Sequence, residues 1–312
     1  MAQSIIKSVD KIKILIIGSN GQLGYELCQR GKQHDFTALS FDLPEFDVTD
    51  KKSVQKTVIE SNVSLVINAS AHTAVDRAES EPEIAFRVNY EGPLNLAESC
   101  AQAGIPLIHV STDYVFDGCK KGPYLETDLV CPVNVYGKSK VQGESAVRDR
   151  LNEHIILRTS WLYGVHGNNF VKTMLRLGKE NETLRIVTDQ YGCPTYAGDL
   201  AEAILIIANH YCENRNTAWG TYHFCGKGET SWHGFAEKIF ELAKEHDCLK
   251  VKKVEPITME ESPAPAQRPA ITVLDCTKLS KVFNITPVPW EESLASVISV
   301  LCKQNGSHTN NR

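Results

Sequence analysis

The run Gly18-Ser19-Asn20-Gly21-Gln22-Leu23-Gly24 follows directly on the apolar stretch Ile14 to Ile17, and a helix-compatible segment to about residue 30 follows it. A buried strand that ends in glycine and hands over at once to a helix leaves a chain few folds. Glycine lets the backbone turn tightly and approach a pyrophosphate, and the helix N-terminus behind the turn favours negative charge. Gly18, Gly21 and Gly24 therefore form a candidate phosphate cradle; a glycine-rich turn without a ligand is the alternative. The same rhythm continues downstream. Residues 11–17, 36–41, 64–69, 106–110 and 154–158 read as strands, with helices over 54–60, 82–103 and 135–150. Such alternation predicts an α/β fold with a doubly wound, Rossmann-like parallel sheet, whose ligands bind at the carboxyl ends of the strands.

The second half is less regular. Residues 195–209, 231–245 and 293–302 read as helices. The segment 256–269, with Pro263-Ala264-Pro265, reads as a surface stretch that cannot hold a long helix, and 304–312 as a disordered polar tail. The expected division is a dinucleotide-binding domain over 1–165 and a smaller substrate-binding lobe over most of 166–312, with some segments returning to the first domain.

Composition excludes several function classes. A net charge of -5 and a pI near 6.1 give no electrostatic reason to expect nucleic-acid polymers or anionic membranes as partners. The ten cysteines are scattered without C-x-x-C, and the ten histidines form no zinc-binding spacing, so reduced thiols in the cytoplasm are the expectation. The run 14–17 is too short for a membrane span.

Tyr136-Gly137-Lys138-Ser139-Lys140 lies downstream of Val110-Ser111-Thr112-Asp113. A spacing of four puts Tyr136 and Lys140 on one helix face, where an ammonium can draw a phenol towards working range as an acid–base catalyst. The Thr112 hydroxyl can orient a carbonyl. Asp42 ends the second strand, placed for a ribose or simply capping a turn, and no basic residue follows to favour a 2′-phosphate. Asn68-Ala69-Ser70-Ala71-His72-Thr73 ends the third strand in small residues against which a flat cofactor can lie. His72 reads as backbone-bonded or cofactor-lining, and Asn89 as a partner to the catalytic loop or a solvated residue. Trp161 can pack on a sugar ring or in the core. Arg268 can clamp a phosphate or lie in solvent.

With these residues the chain resembles the extended short-chain dehydrogenase/reductase family, and within it the dTDP-4-dehydrorhamnose reductases. Gly21-Gln22-Leu23-Gly24, Asn68 to Asp76, Ser111-Thr112-Asp113-Tyr114-Val115-Phe116, Asn134 to Lys140, Arg158-Thr159-Ser160-Trp161 and Asp189-Gln190-Tyr191-Gly192 carry the likeness nearly end to end. The resemblance implies reduction of the 4-keto group of dTDP-4-dehydro-L-rhamnose by NADPH or NADH. Gly21, Gln22, Leu23, Asp42, Asp47, Val48, Ala71, His72 and Thr73 would hold the cofactor, with Tyr136 and Lys140 also touching it. Thr112, Asp113 and Trp161 would face the nucleotide sugar. Dehydratases of this scaffold carry a glutamate where this chain has Tyr114, which disfavours dehydration. Some members form a homodimer with Mg2+ held by carboxylates; Glu26 and Glu291 match those positions, with Asp199 where glutamate is usual. Residues 1–10 extend beyond the usual start. A similar but non-catalytic protein, the regulatory beta subunit of methionine adenosyltransferase, is the alternative.

Overall fold

Ile14 and Ile16 enter one hydrophobic core and Leu15 and Ile17 the other, which is why β1 (Lys13–Ile17) reads as an unbroken apolar run. A parallel strand covered on both faces has no polar side to show. The computed structural model describes residues 12–214, 217–246 and 249–309, with side chains to residue 303. After β1 come α1 (Gln22–Gly31), β2 (Thr37–Phe41), α2 (Lys51–Glu60) and β3 (Leu65–Asn68). Two short helices, α3 (Val75–Ser80) and α4 (Pro82–Phe86), lead through a π turn at Arg87–Glu91 into α5 (Gly92–Ala103). β4 (Leu107–Thr112), α6 (Val135–Arg150) and β5 (His154–Thr159) complete the alternating half.

The rest of the chain adds β6 (Leu162–Tyr163), α7 (Phe170–Glu180), β7 (Thr183–Val187), β8 (Tyr191–Gly192), β9 (Thr195–Tyr196) and α8 (Ala197–Asn214). Then follow β10 (Gly220–His223), β11 (Thr230–Ser231), α9 (Trp232–Ala243), β12 (Lys253–Ile257), α10 (Thr277–Phe283) and α11 (Trp290–Thr309).

Six parallel strands form the central sheet in the order β10-β5-β4-β3-β1-β2. Leu23 and Leu27 of α1 and Leu200 and Ile204 of α8 cover one face; Val54, Leu96 and Val147 of α2, α5 and α6 cover the other. The expected doubly wound sheet is therefore present, and its strand order reverses between β1 and β3, where a crevice must open. A second core lies beside it, built from Met174 and Leu175 of α7, Phe235 and Ile239 of α9, and Leu294 and Ile298 of α11.

Local departures from the sequence reading have local causes. α2 begins at Lys51, earlier than expected, because the Asp50 carboxylate accepts from the Lys52 and Ser53 amides, a cap that apolar spacing does not reveal. Thr195 pairs in β9 with Leu162, so α8 starts only at Ala197. Pro256 lies within β12, which among the described residues pairs with β7 alone, and a strand with a free side tolerates proline. The tail expected to be disordered continues α11 to Thr309, since no proline interrupts a helix already anchored by Leu294, Ile298 and Leu301. Residues 1–11 and 310–312 lie outside the described residues.

Candidate active site

Gly18 and Gly24 are required by the fold itself. Gly18 has φ of +86°, and a Cβ there would sit 2.6 Å from Ser70 N in the loop after β3. A Cβ on Gly24 would meet Gly18 O at 2.1 Å. Gly21 is different: its φ is −72°, and its nearest obstacle is Gly18 O at 3.4 Å. Nothing in the protein demands a bare backbone there, and Gly21 faces open space. Two hollows meet at this residue. One, about 340 Å3, is bordered by Gly18, Asp42, Asp47, Val48, Ala71 and Val88. The other, about 560 Å3, is bordered by Leu23, Thr73, Thr112, Tyr136, Lys140 and Trp161. They share Gly21, Ala69, Ser70 and Ala71. The result is one continuous trough across the sheet edge at the crevice. Asp42 accepts from Asn20 N at 2.7 Å and Leu43 N at 2.8 Å, so it caps the glycine turn while also bordering the trough.

Asn134 starts α6 by accepting from Gly137 N at 2.8 Å, and a Cβ on Gly137 would meet Tyr114 O at 2.2 Å. The first turn of α6 thus lies hard against the end of β4, which brings Tyr136 beside Thr112. Lys140 is 2% exposed and donates from Nζ to Val110 O at 2.8 Å. Burial pulls its pKa down to about 8, opposed by Glu144. The Tyr136 phenol is pushed up to about 12 by burial, with Thr112 favouring the phenolate and Asp113 opposing it. The expectation that Lys140 lowers this phenol is not met. The ammonium is turned to the Val110 carbonyl, and desolvation of the phenolate wins. Tyr136 accordingly holds its proton, the form a general acid needs.

Thr112 Oγ1 donates to Asp113 Oδ1 at 3.0 Å and accepts from Tyr114 N at 3.2 Å. Burial lifts the Asp113 carboxyl to about 6, against hydrogen bonds from Thr272 and Thr112. The Thr112 hydroxyl therefore has to turn from Asp113 to reach a carbonyl in the cavity.

Asn89 resolves one of the open alternatives. It sits in the π turn, 1% exposed, accepting from His72 N at 2.8 Å and donating to His72 O and Ser139 Oγ, both at 3.0 Å. One side chain thus fastens the loop after β3 to α6, and His72 is held by its backbone. Burial lowers the His72 imidazole pKa, with Arg77 adding to it.

Trp161 borders the cavity with φ of +47°, a conformation bulky residues rarely adopt. It stacks on Trp232, the first residue of α9. Sequence reasoning missed Trp232, because only the second core carries α9 to this edge. It also missed the clasp on the glycine loop. Asn169 donates to Gln22 Oε1 at 2.9 Å, the His166 ring meets Asn20 O at 2.9 Å, and Tyr25 stacks on His166. Arg268 is partly exposed and donates to Asp76 Oδ2 at 2.7 Å.

Two of the three carboxylates weighed for Mg2+ already have protein partners. Glu26 is engaged by Arg30 and Tyr196, Asp199 by the Ser293 hydroxyl. No three metal-ligating side chains converge among the described residues. Nor is any helix among them long and apolar enough to cross a membrane.

The family described as RmlD substrate binding domain matches residues 12–302. The dTDP-4-dehydrorhamnose reductase of Sinorhizobium fredii is 41% identical, with 93% of this chain and 98% of that protein covered. The solved dTDP-4-dehydrorhamnose reductase of Clostridium acetobutylicum superposes with a TM-score of 0.87 at 41% identity, covering 93% of this chain and 99% of that one. The Bacillus anthracis structure, in complex with NADP, superposes with a TM-score of 0.85 at 38% identity, covering 93% and 99%. With this likeness running through the sheet, the trough and the second core alike, the chain belongs to the dTDP-4-dehydrorhamnose reductase family.

Proposed function

We propose that this protein reduces the 4-keto group of dTDP-4-dehydro-L-rhamnose to the alcohol, the step that completes dTDP-L-rhamnose. The observation that carries the reading is the placement of Tyr136, Lys140 and Thr112 around one cavity that continues into the glycine trough. Gly18, Gly21 and Ala71 would accept the backbone of NADPH or NADH, and Asp42 its adenosine ribose. When bound, the reduced nicotinamide supplies hydride to the keto carbon.

The protein's part is to manage the charge that grows on the keto oxygen. Thr112, rotated from Asp113, would donate a hydrogen bond to that oxygen, and Tyr136 would deliver the proton. Lys140 would add positive charge beneath the phenol and reach the nicotinamide ribose by turning from Val110 O. The stacked Trp161 and Trp232 would form a wall for the sugar. Arg268, already oriented by Asp76, would meet the diphosphate. In this division residues 1–165 chiefly bind the cofactor. Most of 166–312 forms the substrate lobe, with β10 and α8 returning to the sheet, and the protein works in the cytoplasm.

The test is oxidation of NADPH and NADH by the purified protein supplied with enzymatically prepared dTDP-4-dehydro-L-rhamnose. Stoichiometric formation of dTDP-L-rhamnose supports the reading. A protein that binds NADPH and leaves the keto sugar unchanged would instead be a cofactor-binding regulator. Sedimentation with and without Mg2+ tests the homodimer that the family likeness implies.

A further inference from the structure

Asn169 joins the second core to the glycine turn with both polar atoms of its side chain. Its Oδ1 accepts from Lys172 N at 3.1 Å and so starts α7. Its Nδ2 donates to Gly164 O at 2.8 Å and to Gln22 Oε1, 147 residues away, at 2.9 Å. The backbone partners fix which atom is which, because a backbone N–H must meet the amide oxygen and a carbonyl must meet the nitrogen. Asn169 therefore presents a donor to Gln22, and the Gln22 amide has to answer with Oε1. The other end of that amide, Nε2 with its two N–H groups, has no acceptor among the described residues. Gln22 borders the larger hollow beside Gly21 and Leu23, so Nε2 is the polar atom it has left to offer there.

Neighbouring contacts hold this arrangement. Lys172 Nζ donates to Val165 O at 3.2 Å and to Gly167 O at 2.8 Å, closing the turn between β6 and α7. Gly167, at φ of +72°, lays bare backbone against the Gln22 stem, where a Cβ would come within 3.0 Å of Cγ. We propose that Asn169 is a positioning residue for cofactor binding, turning the Gln22 amide so that Nε2 donates to the pyrophosphate of the dinucleotide. The proposal rests on the cofactor half of the reductase reading and gives it a named atom and a residue that orients it. The glycine turn and the start of α1 already favour negative charge here, and an amide oxygen aimed at the same place would oppose it. Holding the amide from the second core removes the wrong orientation before the ligand arrives, which is preorganisation.

The test is binding of NADPH and of ADP-ribose to the cofactor-free protein, by fluorescence and calorimetry, with the melting temperature followed in parallel. ADP-ribose keeps the pyrophosphate and lacks the nicotinamide. Gln22→Ala should weaken both ligands by about tenfold, the scale of one hydrogen bond to a charged group. Asn169→Ser keeps a good helix cap and removes the donor to Gln22, so both ligands should bind roughly threefold to tenfold more weakly while the melting temperature holds. Gln22→Ala/Asn169→Ser should bind like Gln22→Ala alone, since Asn169 acts through Gln22. Asn169→Thr, another capping residue, takes the place of Asn169→Ser if that variant unfolds. Undiminished ADP-ribose affinity in Gln22→Ala overturns the pyrophosphate contact. Parental affinity in the folded Asn169 variant, or two losses that multiply in full in the double variant, overturns the positioning role. Since no turnover is read, a protein that binds NADPH but fails the reductase assay still decides the proposal.

Discussion

The indole of Trp161 lies on that of Trp232 with ring centroids 3.6 Å apart and planes within 4°. One ring belongs to the loop leaving β5 and the other opens α9, so the stack joins the central sheet to the second core at the cavity rim. A Cβ on Gly192 would meet Trp161 Cε2 at 2.4 Å, so the ring is clamped from behind as well. Such packing holds a bulky residue at a positive φ and fixes this wall of the cavity. Trp232→Ala should raise the KM for the keto sugar by roughly threefold to tenfold, the scale of one aromatic pair, with NADPH affinity unchanged. Steady-state kinetics with each substrate varied in turn checks this.

Tyr136→Phe should keep cofactor binding, measured by NADPH fluorescence, while kcat falls on the order of a hundred- to ten-thousandfold. Thr112→Val should show a milder loss. A Tyr136→Phe protein with undiminished kcat would remove Tyr136 from the role of proton donor.

The pH profile separates Tyr136 from Lys140. With the phenol at about 12 and the lysine at about 8, kcat/KM for the cofactor should decline above pH 8 as Lys140 loses its charge. Tyr136 stays protonated throughout that range. A limb appearing only above pH 10 would mean that Lys140 is not the titrating group.

Gly21→Ala should separate ligand from fold. Its Cβ finds space in the protein, so the melting temperature should hold, while NADPH affinity falls on the order of tenfold through crowding against the pyrophosphate. Gly24→Ala, driven into Gly18 O, should lose stability as well. Differential scanning fluorimetry with and without NADPH distinguishes the two.

Asp113 should cost stability at neutral pH. Its folded pKa of about 6 lies above the ordinary 3.8, so the native state binds the extra proton between these values. Stability from this group is therefore greatest below pH 4 and declines as pH rises to 6. Asp113→Asn should be more stable than the parent at pH 7, by up to about 3 kcal/mol, with the difference vanishing near pH 4. Urea unfolding at the two pH values measures it.

The sequence by itself determined the sheet, the glycine cradle and the Tyr136–Lys140 pair. Each is written in local spacing: an apolar run with both faces buried, a glycine wherever a Cβ would strike backbone, and two residues one helical turn apart. It also carried Asn89, a polar residue inside a helix whose partner was unnamed. The tertiary structure alone decided the rest. Trp232 reaches the cavity only because α9 packs in the second core, and Arg268 meets Asp76 across 192 residues. The state of Tyr136 was misjudged for the same reason. Spacing tells which charge is near, but the pKa of a phenol depends on how completely water is excluded, and only the assembled walls of the cavity set that.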